Sequence, residues 1–152
     1  MIAPTTTRVE NSTAARVNQR IRDQIEERVA QLAGASPREL TYRLVELDQE
    51  WDIERALEFN FTSVVLAGIA LGTVSNRKWY LFPALAACFM MQHVFEGWCP
   101  PLVVLRRLGF RTPSEIGRER MALKILRGDF ASIGVRETDA ASTSSLISAI
   151  EE

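Results

Sequence analysis

The apolar positions of this chain are concentrated in one central stretch, Phe59–Leu105, with charged segments on both sides. Its only Asp, Glu, Lys or Arg residues are Arg77, Lys78 and Glu96, and the basic pair divides it into two apolar runs. A helix of about 17 residues is roughly 26 Å long, close to the roughly 30 Å hydrocarbon core of a bilayer. The pattern predicts an all-α protein whose two-helix transmembrane hairpin is flanked by amphipathic cytoplasmic helices.

The segment before the hairpin, residues 12–58, predicts an amphipathic arm of two helices. A capping box at Ser36–Glu39 begins the second helix, and no helix breaker separates that helix from Phe59. We therefore expect it to run into the membrane as one long helix. Its apolar residues have heptad spacing, which favours a partner helix or a second copy of the chain. This seam consists of Leu40, Leu44, Leu47 and Trp51. The polar, threonine-rich residues 1–11 are expected to be disordered.

The segment after the second apolar run is expected to leave the membrane at a Cys-Pro-Pro exit. Consecutive prolines cannot continue a helical hydrogen-bond ladder, so Gly97–Pro101 ends the second helix. Residues 106–130 predict a basic segment with an amphipathic helix, which a second capping box at Thr112–Glu115 begins and which stops near Gly128. The Ser/Thr-rich residues 131–152 predict a disordered tail. The basic segment suits either anionic lipid head groups or the acidic segment Glu46–Glu58. Its juxtamembrane members are Arg106, Arg107 and Arg111.

Small residues at helical spacing lie within both apolar runs. Gly68 and Gly72 form a G-x-x-x-G motif, and Ala84 and Cys88 repeat that spacing on the second run. Such faces let two helix backbones approach closely in lipid, where apolar surface alone gives no drive for association. Two explanations remain open, which are packing between the two helices of one hairpin and self-association into a homodimer.

Cys99 is the residue with the most reactive chemistry, but its expected position argues against reactivity. At a helix C-terminus the dipole disfavours a thiolate. A metal site built from Cys88, His93, Glu96 and Cys99 is also disfavoured, because Cys88 and His93 lie on different helix faces. A polar end to a membrane helix explains His93 and Glu96 more simply. No catalytic, cofactor-binding or metal-binding residue is therefore predicted.

Charge limits the partners and predicts the orientation. The formal net charge is −1, and the basic segment lacks interleaved aromatic residues, so no nucleic-acid binding is expected. No small-molecule substrate can be identified, and the expected partner is the lipid bilayer. Basic residues near the membrane are more numerous toward the termini than at Arg77-Lys78, which predicts that both termini are cytoplasmic.

The middle of the chain resembles the YgaP-like transmembrane domain family, a bacterial inner-membrane family of unknown function. The resemblance covers about residues 54–112 and rests on Gly97-Trp98-Cys99-Pro100, followed by Leu108-Gly109 and Thr112. Pro101 departs from the usual pattern. The resemblance implies a bacterial inner-membrane protein with a hairpin that can dimerise. The sulfurtransferase domain that accompanies some members has no counterpart here.

These observations favour a small inner-membrane protein without enzymatic activity that acts as a structural or oligomerising module. One alternative is a thiol-dependent or sulfur-handling membrane protein that uses Cys99. A second alternative is a soluble helical interaction protein whose apolar middle is buried in an oligomer.

Overall fold

The computed structural model describes residues 4–131, and within this range the chain is helical with no strand. This confirms the all-α prediction; most of the predicted C-terminal tail, residues 132–152, lies outside the described residues. The elements are α1 (Arg8–Asn11), α2 (Ala15–Gln31), α3 (Pro37–Gln49), α4 (Ile53–Val74), a 3-10 turn (Arg77–Tyr80), α5 (Leu81–Glu96), α6 (Pro100–Leu108) and α7 (Pro113–Arg127).

The chain forms two compact units. The first contains residues 1–24 and 50–116, and the second contains residues 25–49 and 117–152, so the division falls within α2 and α7. The first unit has an apolar core to which α1, α4, α5 and α6 all contribute. Its buried members are Val9, Ile53, Leu57, Phe61, Ala86, Cys99 and Leu102.

The prediction of disorder over residues 1–11 is wrong for the helical part of this segment. Residues Arg8–Asn11 form α1, and the Val9 side chain is only 3% exposed. A helix of one turn is unstable alone, because fixing the backbone of the first turn costs more free energy than its hydrogen bonds supply. Burial of Val9 in the core of the first unit supplies the stabilisation that the local sequence lacks.

The predicted long helix from the arm into the membrane is interrupted. Helix α3 ends at Gln49, and Asp52 begins α4 with an extended backbone and a carboxylate that accepts the Arg55 N–H at 2.8 Å. The Ile53 N–H, which is left free at the start of this helix, donates to the Arg111 carbonyl at 2.8 Å. Asp52 belongs to an acidic run in the sequence, which concealed its role as a helix cap.

One helical stretch in the described part of the chain, Pro37–Val74, is long and apolar enough to cross a membrane by length and composition, and its apolar part lies in α4. The expectation of two spanning helices is therefore only partly confirmed. Helix α5 has 16 residues. At about 1.5 Å per residue it reaches about 24 Å, less than the hydrocarbon thickness of a typical bilayer.

The two glycines of α4 pack against the segment that follows them in the same chain. A Cβ on Gly68 would lie 2.4 Å from Pro83 Cδ, and a Cβ on Gly72 would lie 2.7 Å from the Tyr80 ring. These contacts are those of packing within one hairpin, the first of the two explanations. The predicted matching face is wrong: Ala84 and Cys88 are exposed, and Ala86 is the buried small residue of α5.

The Cys-Pro-Pro segment begins a helix as well as following one. Gly97 ends α5 in the left-handed conformation, with φ 73°, as its position after the second apolar run predicted. Pro100 and Pro101 then occupy the first turn of α6, where a missing N–H costs least. The helix predicted from the Thr112–Glu115 capping box to near Gly128 is present as α7, but residues 106–108 belong to α6, which a turn at Gly109 separates from α7.

Two of the three predicted juxtamembrane arginines are buried. The Arg106 guanidinium donates to both oxygens of Glu115, at 2.6 and 2.7 Å, and Arg111 pairs with Glu50. Arg107 alone of the three is exposed. The prediction that these arginines face lipid head groups is therefore wrong for Arg106 and Arg111. The alternative partner, the acidic segment Glu46–Glu58, is correct for Arg111, which pairs with Glu50 of that segment, whereas Arg106 pairs with Glu115 of α7.

The second unit buries the leucine seam of α3. Leu40, Leu44 and Leu47 are each at most 7% exposed, and Glu119, which is fully buried, pairs with Arg43 at 2.9 Å. The seam is thus covered within the chain and does not present a surface to a second copy. Trp51, its predicted last member, lies beyond the end of α3 and packs edge-on against Phe59.

The buried Glu115 predicts a loss of stability in acid. Burial raises the pKa of Glu115, but hydrogen bonds from Arg106 and the Thr112 N–H outweigh it and hold the pKa below its usual value of 4.5. A lowered pKa in the folded state stabilises above the unfolded pKa, and this contribution disappears as pH falls through the folded value. We expect the stability difference between the wild type and Glu115→Gln to shrink below about pH 4.5 in chemical unfolding. A difference that stays constant from pH 7 to pH 3 would contradict this.

Candidate functional site

A continuous apolar surface covers α4, the 3-10 turn and α5. Large apolar side chains are exposed along it, and we call this surface the apolar band. Its members are Phe59, Leu66, Ile69, Leu71, Val74, Trp79, Tyr80, Leu81, Phe82, Leu85, Met91, Val94 and Phe95. Only 22% of the most apolar window of the candidate span is buried in the chain. Soluble monomers rarely expose large contiguous apolar patches, so the exposure of these side chains needs an explanation.

The end of the band at the 3-10 turn, which we call its far end, carries the groups expected at a membrane–water boundary. Asn76 caps the 3-10 turn by accepting the Lys78 N–H at 2.9 Å, and Arg77 and Lys78 are exposed. Trp79 stacks on Phe82 with ring centroids 5.2 Å apart. Tryptophan, tyrosine and basic residues are enriched at such boundaries because each combines an apolar body with a polar group.

Four side chains form a polar cluster at the other end of the α4–α5 pair. Glu54, in the first turn of α4, faces His93, in the last turn of α5. Glu54 Oε2 lies 3.0 Å from His93 Nε2, and Arg8 Nη2 donates to Glu54 Oε1 at 3.0 Å. Cys99, at the start of α6, is fully buried like His93 and is the fourth member. We call these residues the His93 cluster.

The cluster is closed to solvent around its histidine and cysteine. Neither His93 nor Cys99 has measurable exposure, whereas the Glu54 side chain is 27% exposed. His93 Nδ1 is buried and makes no hydrogen bond. A buried nitrogen without a partner is uncommon in folded proteins, and it marks this position as one to be explained.

Cys99 occupies a helix N-terminus, which reverses the argument made from the sequence. It precedes Pro100 as the N-cap of α6, with φ −156° and ψ 159°, and its side chain does not cap the helix. From the sequence, only the helix that ends before Cys99 was considered, because the two prolines were interpreted as a helix end and not as the start of α6.

Helix α1 lies against the His93 cluster. A Cβ on Gly97 would be 2.6 Å from the Arg8 carbonyl oxygen, so the two backbones are in direct contact. The Ser12 hydroxyl donates to the Glu96 carbonyl at 2.9 Å. A cavity of about 280 Å³ adjoins α1 at Glu54. Its lining residues are Thr5, Thr6, Arg8, Val9, Glu54, Thr112, Pro113 and Ser114.

The four metal ligands considered from the sequence do not converge. His93 and Cys99 are buried together, but Cys88 and Glu96 are exposed. Within residues 4–131, no group of three or more His, Cys, Asp or Glu side chains is arranged to hold a metal ion. Sequence reasoning missed Glu54 and Arg8, because their role depends on the antiparallel alignment that brings residue 54 opposite residue 93.

Comparisons with protein-family models, curated proteins and solved structures found no match to this chain. The resemblance to the YgaP-like family therefore stays a prediction that rests on the motif residues alone.

Proposed function

We propose that this chain is a small structural membrane protein that embeds α4 in a bilayer, with α5 packed antiparallel beside it. The apolar band carries this proposal. It extends over both helices and the turn between them, and its only charged neighbours along this length are Arg77 and Lys78 at the far end. Lipid covers such a surface from all sides, whereas one protein partner would cover a single face.

A charge placed in the band tests this proposal. We expect the wild type to sediment with membranes and to resist extraction by alkaline carbonate. Leu66→Arg puts a guanidinium in the middle of α4, at a cost of about 3 kcal/mol for insertion, and should move much of the protein to the soluble or degraded fraction.

Val45→Arg is the matched control, because Val45 is exposed on α3 outside the band. It should fractionate as the wild type does. Recovery of the wild type in the soluble fraction as a defined oligomer would instead support the alternative of a soluble interaction protein.

The proposed membrane is the bacterial inner membrane, with both termini in the cytoplasm. The family resemblance supports the choice of membrane, and the excess of basic residues toward the termini supports the orientation. Asn76→Cys, at the far end of the band, should react with an impermeant maleimide in intact spheroplasts, and Gly34→Cys should react only in inverted vesicles. Labelling of Asn76→Cys from the cytoplasmic side would show that the α4–α5 pair enters the bilayer and returns without crossing.

A homodimer through the G-x-x-x-G motif is not part of this proposal. Gly68 and Gly72 are already in contact with Pro83 and Tyr80 of the same chain.

A further inference from the structure

Beyond the apolar band, this chain has a second exposed apolar surface, on helix α6. We propose that the outer face of α6, made by Val103, Val104, Arg107 and Leu108, binds the head-group region of an anionic lipid surface. The inference rests on the proposed insertion of α4, and it assigns a lipid partner to a helix outside the α4–α5 pair. It makes α6 an interfacial helix, which lies on the membrane and does not cross it.

The outer face is apolar along its length and basic near its end. Val104 and Leu108, four positions apart, are 58% and 71% exposed, and Val103 and Arg107 have the same spacing and are also exposed. Side chains four positions apart lie one above the other on a helix, so these side chains form two neighbouring rows. Within residues 4–131 no carboxylate is paired with Arg107, so its guanidinium is available to a phosphate.

The inner face of α6 fixes this orientation. Leu102 is 1% exposed and shares the core of the first unit with Ile53 and Leu57 of α4. One turn later, Arg106 is 1% exposed and donates to both oxygens of Glu115. A rotation of α6 that buried the outer face would separate this buried ion pair, which is strongly unfavourable. The apolar side chains of the outer face therefore stay on the surface of the unit.

Helix α6 is located at the end of the α4–α5 pair opposite the far end of the band. Three residues separate it from the end of α5, and its Leu102 side chain packs in the core beside the first two turns of α4. Trp98 lies between α5 and α6 and is 37% exposed, and tryptophan is enriched at membrane–water boundaries. When α4 is embedded in a bilayer, α6 is therefore expected at the level of the lipid head groups.

The composition of the outer face fits an anionic lipid surface. Apolar side chains of an interfacial helix enter the boundary between head groups and acyl chains, and basic side chains beside them attract anionic head groups. The aliphatic part of an arginine side chain lets the guanidinium reach a phosphate while its apolar neighbours remain among the acyl chains. Helix α6 contains no Asp or Glu, so no charge within the helix repels that phosphate.

Trp98 provides the test, because it is a natural fluorescent probe beside α6. The chain has three tryptophans, so Trp51→Phe and Trp79→Phe leave one. The full chain is reconstituted in phosphatidylcholine vesicles with and without phosphatidylglycerol, and lipids brominated at different depths quench its fluorescence. We expect bromine near the head-group end of the acyl chain to quench Trp98 about twofold more strongly than bromine near the terminal methyl. Phosphatidylglycerol should increase this shallow quenching.

Two substitutions separate the apolar part of the outer face from its basic part. Val104→Asp should weaken the shallow quenching about twofold, whereas Val45→Asp, at an exposed valine of α3, should leave it unchanged. Arg107→Gln should remove the effect of phosphatidylglycerol, whereas Arg20→Gln, at an exposed arginine of α2, should retain it. All four variants should still resist extraction by alkaline carbonate, because none of them alters α4.

Four other results would overturn the inference, and they separate its failure from that of the proposed function. In a chain that resists carbonate, quenching of Trp98 by aqueous iodide but by no brominated lipid would show that this surface faces water. Quenching mainly by deep bromine would show that it enters the hydrocarbon core, and protection from both kinds of quencher would show that protein covers it. These three results leave the insertion of α4 intact. Recovery of the wild type in the soluble fraction would overturn both proposals.

Discussion

Replacing Arg106 with methionine is expected to lower the free energy of unfolding by about 3–5 kcal/mol, because it leaves the carboxylate of Glu115 buried and unpaired. Arg106 is 1% exposed and holds both oxygens of that carboxylate. Its remaining N–H groups donate to the Thr13 hydroxyl, the Asn18 side-chain oxygen and the Phe110 carbonyl. One side chain thus joins α6 to the start of α2 and to the start of α7.

The neighbouring residue offers a matched control. Arg107 is exposed on the same helix, so Arg107→Met should change stability by no more than about 0.5 kcal/mol. Thermal unfolding followed by circular dichroism in detergent micelles would measure both variants. Adding Glu115→Gln to Arg106→Met should recover part of the loss, since the buried charge is then removed. A loss below about 1 kcal/mol for Arg106→Met would contradict the buried ion pair.

Gly68→Leu is expected to separate α4 from α5 and to destabilise the hairpin by about 1–3 kcal/mol or more. The first carbon of the new side chain would lie 2.4 Å from Pro83 Cδ and 3.2 Å from the Trp79 carbonyl oxygen. Pro83 is a rigid ring and the carbonyl belongs to the backbone, so neither can move away without shifting the start of α5. Thermal unfolding in micelles would measure the loss.

Ala70→Leu is the control, because Ala70 is exposed two residues further along the same helix. It should leave stability nearly unchanged, since its side chain would meet lipid or detergent. If the glycines instead served a dimer, Gly68→Leu would convert a dimeric wild type into a monomer of unchanged thermal stability. Size measurement in the same micelles distinguishes this result from a destabilised hairpin.

Local sequence rules found the features that depend on neighbouring residues. The capping box at Ser36–Glu39 is present, with the Ser36 N–H donating to Glu39 at 2.8 Å. The box at Thr112–Glu115 is present as well, with contacts of 2.7 and 3.2 Å. The length of the second apolar run and the glycine at position 97 predicted where α5 ends. Each of these depends on residues at most four positions apart, so the sequence displays them directly.

The features that were missed depend on residues far apart in the chain. Order in α1 requires Val9 to enter a core made by residues more than forty positions later, and the pairing of Arg106 with Asn18 joins positions 88 residues apart. The basic segment had two possible partners, lipid head groups and the acidic segment Glu46–Glu58, because spacing alone could not assign a carboxylate to each arginine. Arg111 pairs with Glu50 of that acidic segment. The reactivity of Cys99 was judged from one helix dipole, although it also lies at the start of another.

The contact between α1 and Gly97 has a consequence for the order of folding. Ser12 and Glu96 are 84 positions apart, so α1 has no surface to dock on until the end of α5 has been synthesised. Throughout that interval residues 8–11 are accessible to processing enzymes and chaperones. Val9 and Cys99 belong to the same buried core, so this core is completed only when α1 docks, as a late event of folding.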